Sequence, residues 1–279
     1  IAYTGFKNGE TAAVILTPPT ATTIATLTSS VGTYPITLAG GLNGNYSFTL
    51  VDGTLTVTQA TIVATADNKT RVYGDPNPAF TITYTGFRNG ETSAVIDLLA
   101  TATSSAVATT GVGTYPIVPS GGSDNNYVIT YANGTLTITQ ATLTVTADNQ
   151  TRAYGDVNPT LTVSYSGFKN SETSAVLTTL PTATTVAINT SIVGTYPIVP
   201  SGGVSGNYAF TYVNGTLTVT KAVLTATANN QTKVYGDANP ALTINYTGFK
   251  NGETSAVILT PPTASTTATL TSSVGTYPI

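Results

Sequence analysis

Acidic side chains at fixed spacing are the first place to look for chemistry in this chain. One is the aspartate of a Tyr-Gly-Asp turn: Asp75 in VYGDPNP, Asp156 in AYGDVNP and Asp237 in VYGDANP. The other is a glutamate, at Glu10, Glu91, Glu172 and Glu253, each three residues after a Lys or Arg. Paired carboxylates can hydrolyse a glycosidic bond, one as acid and one as base or nucleophile. The plainer reading is structural: the aspartate caps its own turn and the glutamate sits at the N-terminus of a short helix. Nothing else in the sequence marks a cleft, so the turn reads as punctuation required once per unit. No catalytic, cofactor-binding or metal residue is assigned, and the chain is not expected to be an enzyme.

Calcium between domains is the alternative chemistry. Asp67-Asn68 lies just past a unit boundary, with Asp148 and Asn229 at the matching positions. Calcium takes six to eight oxygens with several carboxylates among them. One copy has lost its acid and no D-x-D-x-D-G loop occurs, so the expected cofactor is none. Sequons such as Asn68-Lys69-Thr70 and Asn133-Gly134-Thr135 arise cheaply in so Thr-rich a chain. They gain meaning only on a secretory route.

Composition narrows the field further. The chain has no Cys, Met, Trp or His, which removes thiolate nucleophiles, disulfides and the commonest general base. Charged residues make up 8% of the 279, far below the globular norm of about a quarter. Abundant β-branched and aromatic residues still argue for a folded chain. Nine basic residues, scattered singly under a net charge of −3, leave no footprint for nucleic acid. No apolar run reaches the ~18 residues of a membrane span. The first residue is Ile1, so the chain reads as an internal piece of a longer one.

Self-similarity decides the architecture. Tyr73, Tyr154 and Tyr235 are 81 residues apart, as are the GTYPI motifs at Gly32, Gly113, Gly194 and Gly275. The units are 1–59, lacking its beginning; 60–140 and 141–221, complete; and 222–279, lacking its end. Residues 1–36 and 244–279 differ at only four positions, against thirteen for 1–36 and 82–117. Such amplification in blocks of three units suits a protein whose useful property is length.

Within unit 60–140, Ile62, Ala64 and Ala66 alternate with hydroxyl and valine side chains, a strand pattern. Phe80, Ile82 and Tyr84 alternate with threonines in the same way, and Gly86 then turns Phe87 back toward the core through a bulge. RNGETSAVI is the one candidate helix, about two turns, capped by Asn89 or Thr92. Proline marks VGTYPIV as an edge strand. Asn133-Gly134 between two alternating runs predicts a hairpin. Units abut without a Gly/Ser or Pro linker, which predicts stiff stacking. The fold class is mainly β, in tandem ~81-residue domains.

The set Tyr-Gly-Asp-x-Asn-Pro, Tyr-x-Gly-Phe-x-Asn-Gly-Glu, Gly-Thr-Tyr-Pro-Ile and closing Asn-Gly-Thr-Leu-Thr-Val resembles the MBG and YDG-type repeats of very large bacterial surface adhesins. The resemblance covers the whole chain. It implies a β-grasp-like domain, a small mixed β-sheet with one short helix, and an extracellular, cell-surface role. An immunoglobulin-like β-sandwich is the alternative fold. The leading expectation is a stalk or filament segment whose partners are its neighbouring repeats, with lateral copies in a fibre as a further partner. The competing expectation is a glycan- or mucin-binding module working by avidity.

Overall fold

The computed structural model describes residues 1–279 and divides into two compact units, Ile1–Thr139 and Gln140–Ile279. In the first unit, β1 (Thr20–Thr23), β2 (Gly32–Ala39) and β3 (Gly53–Val57) form an antiparallel sheet in that order. The complete repeat that follows has seven strands: β4 (Ala60–Ala66), β5 (Lys69–Val72), β6 (Ile82–Thr85), β7 (Thr101–Thr103), β8 (Gly113–Ser120), β9 (Tyr127–Ala132) and β10 (Gly134–Thr139). They make two mixed sheets, ordered β6-β4-β9 and β5-β10-β8-β7. The pairs β4/β9 and β5/β10 are parallel, and the others antiparallel.

The second unit repeats this plan. Its strands β11 (Ala141–Ala147), β12 (Gln150–Ala153), β13 (Val163–Ser166), β14 (Thr179–Thr185), β15 (Gly194–Val204), β16 (Tyr208–Val213) and β17 (Gly215–Thr220) form sheets β13-β11-β16 and β12-β17-β15-β14. In the fourth repeat β18 (Thr225–Ala228) pairs antiparallel with β19 (Ile244–Thr247).

Alternation sets which faces meet. On β4 the side chains of Ile62, Ala64 and Ala66 are buried, and on β10 those of Leu136 and Ile138. In the third repeat Ala147 of β11 packs with Ile198 of β15 and Leu217 of β17, so the two sheets share one core. Each fully buried Ile, Leu or Val side chain contributes about 1.5–3 kcal/mol. The mainly-β, mixed-sheet class read from the sequence is therefore the observed one, with two sheets per repeat. A sandwich of the immunoglobulin type is antiparallel throughout; here each sheet of the two complete repeats carries a parallel pair.

Three local expectations need correction. The helix is a single 3-10 turn, Ser93–Val95, rather than two α-turns. Thr92 caps it by accepting from the Ala94 N–H at 3.4 Å, and the chain is extended again by Ile96. Its apolar residues are too few to bury a longer stripe, and of them only Ile96 reaches the core.

The predicted hairpin does not form either: β9 and β10 belong to different sheets. Asn133 and Gly134 are absent from the positive-φ residues, whereas a type I′ turn needs left-handed φ at both central positions. Glycine is required for closeness instead. A Cβ on Gly134 would lie 2.3 Å from the Ala66 carbonyl oxygen.

Lastly, β8 is an inner strand. Its first half pairs only with β10 (Gly113–Ile117) and its second half only with β7 (Val118–Ser120). Each half thus has one open side, which is how Pro116 is tolerated inside the sheet order. The return of Phe87 to the core does occur: Gly86 ends β6 at φ +97, and Phe87 packs against Ile62, Ile96 and Tyr127.

Candidate functional site: the acidic turns

The four recurrent glutamates and Asp156 are each engaged by a named partner. The four-residue turn Arg88-Asn89-Gly90-Glu91 closes with the Glu91 N–H on the Arg88 carbonyl at 2.9 Å. Asn89 and Gly90 take left-handed φ of 55° and 73°, which Asn and Gly accept most easily. The turn presents Glu91 to Tyr127, whose hydroxyl donates to Glu91 Oε2 at 2.5 Å and accepts from the Arg88 N–H at 2.9 Å. Tyr208 with Glu172 and Tyr46 with Glu10 repeat the arrangement. The glutamate therefore anchors a tyrosine and is not part of the helix's first turn. Burial of the ring, then the bond to Glu91, raise the Tyr127 pKa above the ordinary tyrosine value.

The Tyr-Gly-Asp turn is held from below by a buried cation to which no sequence motif pointed. Arg71, 6% exposed, donates from Nε to Asn77 Oδ1 at 2.8 Å and from a terminal nitrogen to the Val107 carbonyl at 2.6 Å. Asn77 in turn donates to the Ala106 carbonyl at 2.6 Å. Arg152 and Asn158 repeat the network. In the fourth repeat Lys233 stands in, donating to the Asp237 carbonyl at 3.1 Å and to the Thr269 carbonyl. The signal that could have found it is a basic residue two places before each Tyr-Gly-Asp. The Asn of YGDxNP thus ties a buried guanidinium to a loop.

In the second unit the turn also reaches another repeat. Lys250 Nζ donates to Asp156 Oδ1 at 2.8 Å, and the Tyr154 hydroxyl donates to Glu253 Oε1 at 2.7 Å. Between them lies Gly155 at φ +84, where a Cβ would fall 2.2 Å from Lys250 Cβ. Asp156 does not simply cap its turn, then: its carboxylate faces the next repeat. In the first unit consecutive repeats also touch, the Val31 N–H donating to Asn126 Oδ1 at 2.9 Å and Asn89 to the Leu27 carbonyl at 3.4 Å.

The residues weighed for calcium have internal roles. Asp67 accepts from the hydroxyls of Thr81 and Thr83, which hold its carboxyl below the usual range, and Asn68 accepts from the Thr135 N–H at 2.8 Å. No group of three or more acidic, His or Cys side chains is gathered at one place. A groove of about 550 Å³ in the fourth repeat is lined by Lys233, Tyr235, Leu242 and Tyr277. In the third repeat the matching residues Leu161 and Tyr196 pack against the core cluster that contains Leu217 of β17.

The family model of the MBG domain (YGX type) matches residues 1–56, 62–137, 143–218 and 224–279. The chain belongs to that family. Within the matched ranges Tyr-Gly-x occurs as the Tyr-Gly-Asp turn at Tyr73, Tyr154 and Tyr235. Among curated proteins none matches. No helix of this MBG-domain chain is long and apolar enough to cross a membrane.

Proposed function

We propose that this run of MBG domains is a stiff extender, a stalk or filament segment of a very large secreted bacterial surface protein, with no catalytic role. The family's place among surface-protein repeats supports the surface location. The observation that carries the mechanical reading is the absence of slack where one repeat passes into the next. In the first unit β3 ends at Val57 and β4 begins at Ala60. Of the two residues between, Gln59 donates from its side-chain amide to the Asp124 and Asn125 carbonyls at 3.2 and 3.3 Å. Gly/Ser linkers swing because they lack such bonds. Glu91, Glu172 and Asp156 are spent on Tyr127, Tyr208 and Lys250, which favours scaffolding over hydrolysis.

Small-angle scattering on the full chain tests this. A cross-section typical of a single small domain, with a length near 35–40 Å per repeat, is expected. A profile of independently tumbling beads would overturn the extender. Retention on a glycan array at submillimolar affinity would favour the avidity-binding module instead.

A further inference from the structure

We infer that the Tyr154-Gly155-Asp156 turn is a docking site for the Lys250-Asn251-Gly252-Glu253 turn of the following repeat, a two-bond lock that fixes the angle of the joint. This rests on the extender reading and supplies its mechanism. The partner is a neighbouring repeat of the same chain, and the second unit shows the pair engaged.

The chemistry is matched on both sides. In the sequence Lys250-Asn251-Gly252-Glu253, Asn251 and Gly252 take φ of 50° and 74°, and the Glu253 N–H closes on the Lys250 carbonyl at 2.9 Å. A β-turn brings its first and fourth residues within about 7 Å of each other. It therefore offers a cation and a carboxylate side by side. On the other repeat, Tyr154 and Asp156 flank Gly155 and offer a hydroxyl donor and a carboxylate. The cation meets the aspartate and the hydroxyl meets the glutamate. Reversing the two would set carboxylate against carboxylate, so the pairing also fixes register.

Two further details fit a shaped seat. Gly155 is needed twice, for its left-handed φ and for clearance: the Lys250 stem lies against its Cα, where any side chain would collide. The Gly155 N–H is held by the Asn189 carbonyl at 3.1 Å, which orients the turn. Glu91 and Glu172 accept from the tyrosine of their own repeat, whereas Glu253 accepts from Tyr154 of the preceding one.

The ion pair is partly solvated, with Lys250 and Asp156 side chains 39% and 45% exposed. Such a pair is too weak to join free chains, but tethered repeats meet at millimolar effective concentration, where it can bias a joint. Because the chain has no Cys, Thr179→Cys and Thr260→Cys place one spin label at an equivalent exposed position in each of the two repeats. Pulsed electron–electron distance measurement on the full chain should give a narrow distribution. Asp156→Lys, Lys250→Asp and Tyr154→Phe should each broaden it, with the opened population rising about fivefold for each bond removed. The exchanged pair Asp156→Lys with Lys250→Asp should narrow it again. Far-UV circular dichroism and the thermal midpoint show whether each variant still folds. A narrow distribution that survives both single charge reversals overturns the lock while leaving the extender standing. A broad distribution in the parent chain overturns both.

Discussion

At the residue scale, the tyrosine–glutamate bond is the interaction most open to measurement. Tyr127 is nearly buried, and its hydroxyl satisfies two groups at once, the Glu91 carboxylate and the Arg88 N–H. Tyr127→Phe keeps the ring against Phe87 and strands both partners, so it should cost about 1–3 kcal/mol, read as a fall in the urea midpoint. The raised Tyr127 pKa gives a sign in alkali. Its contribution is fully present below the ordinary tyrosine value near 10 and is lost as pH rises through the higher folded value. The parent chain should therefore destabilise in that window more steeply than Tyr127→Phe does. Asp67 has the opposite sign: two threonine hydroxyls lower its pKa. Its contribution is present above the ordinary aspartate value and is lost as pH falls through the folded one. Thr81→Val with Thr83→Val should flatten the acid limb of the stability profile, followed by the thermal midpoint between pH 5 and the acid limit of folding.

Elements show where sequence patterns inform and where they mislead. Gly134→Ala tests the corner between β9 and β10. Its Cβ would be driven to 2.3 Å from the Ala66 carbonyl oxygen, an overlap that backbone movement must relieve. A loss of at least the 1–3 kcal/mol typical of overpacking is expected, read from the urea midpoint. At an open surface position with negative φ, Gly→Ala would instead be neutral or slightly stabilising. Asn-Gly between alternating runs is the strongest short hairpin signal, yet the signal is local, and the choice between pairing across a turn and crossing to the facing sheet is tertiary. Period-two alternation, by contrast, placed Ile62, Ala64 and Ala66 in the core, because a strand with one buried face leaves no other register. The repeat spacing and mainly-β class were legible for the same reason. The Arg71 network and the Lys250–Asp156 pair were not, since each joins residues 36 or 94 positions apart and the recurrence of the basic residues does not say which distant group they meet.

Over the whole chain, tandem repeats that touch should share stability as well as position. In such arrays stability is approximately a sum of repeat terms and nearest-neighbour terms. The second unit allows a direct test because the third repeat's core is well defined. Leu217 is fully buried in β17 against Ala147 and Ile198, so Leu217→Ala should cost about 2–5 kcal/mol in that repeat. No atom of the fourth repeat is altered. If the bonds of Tyr154 and Asp156 to Glu253 and Lys250 couple the two, amide exchange in the β18/β19 pair should speed up in the variant. Asp156→Lys and Tyr154→Phe added together to Leu217→Ala should abolish that transmitted effect, leaving the third repeat's own loss unchanged. Hydrogen exchange read by mass spectrometry on peptides covering Thr225–Ala228 and Ile244–Thr247 gives the answer. Unaltered protection there would mean that consecutive repeats stand independently and that the joint transmits orientation without free energy.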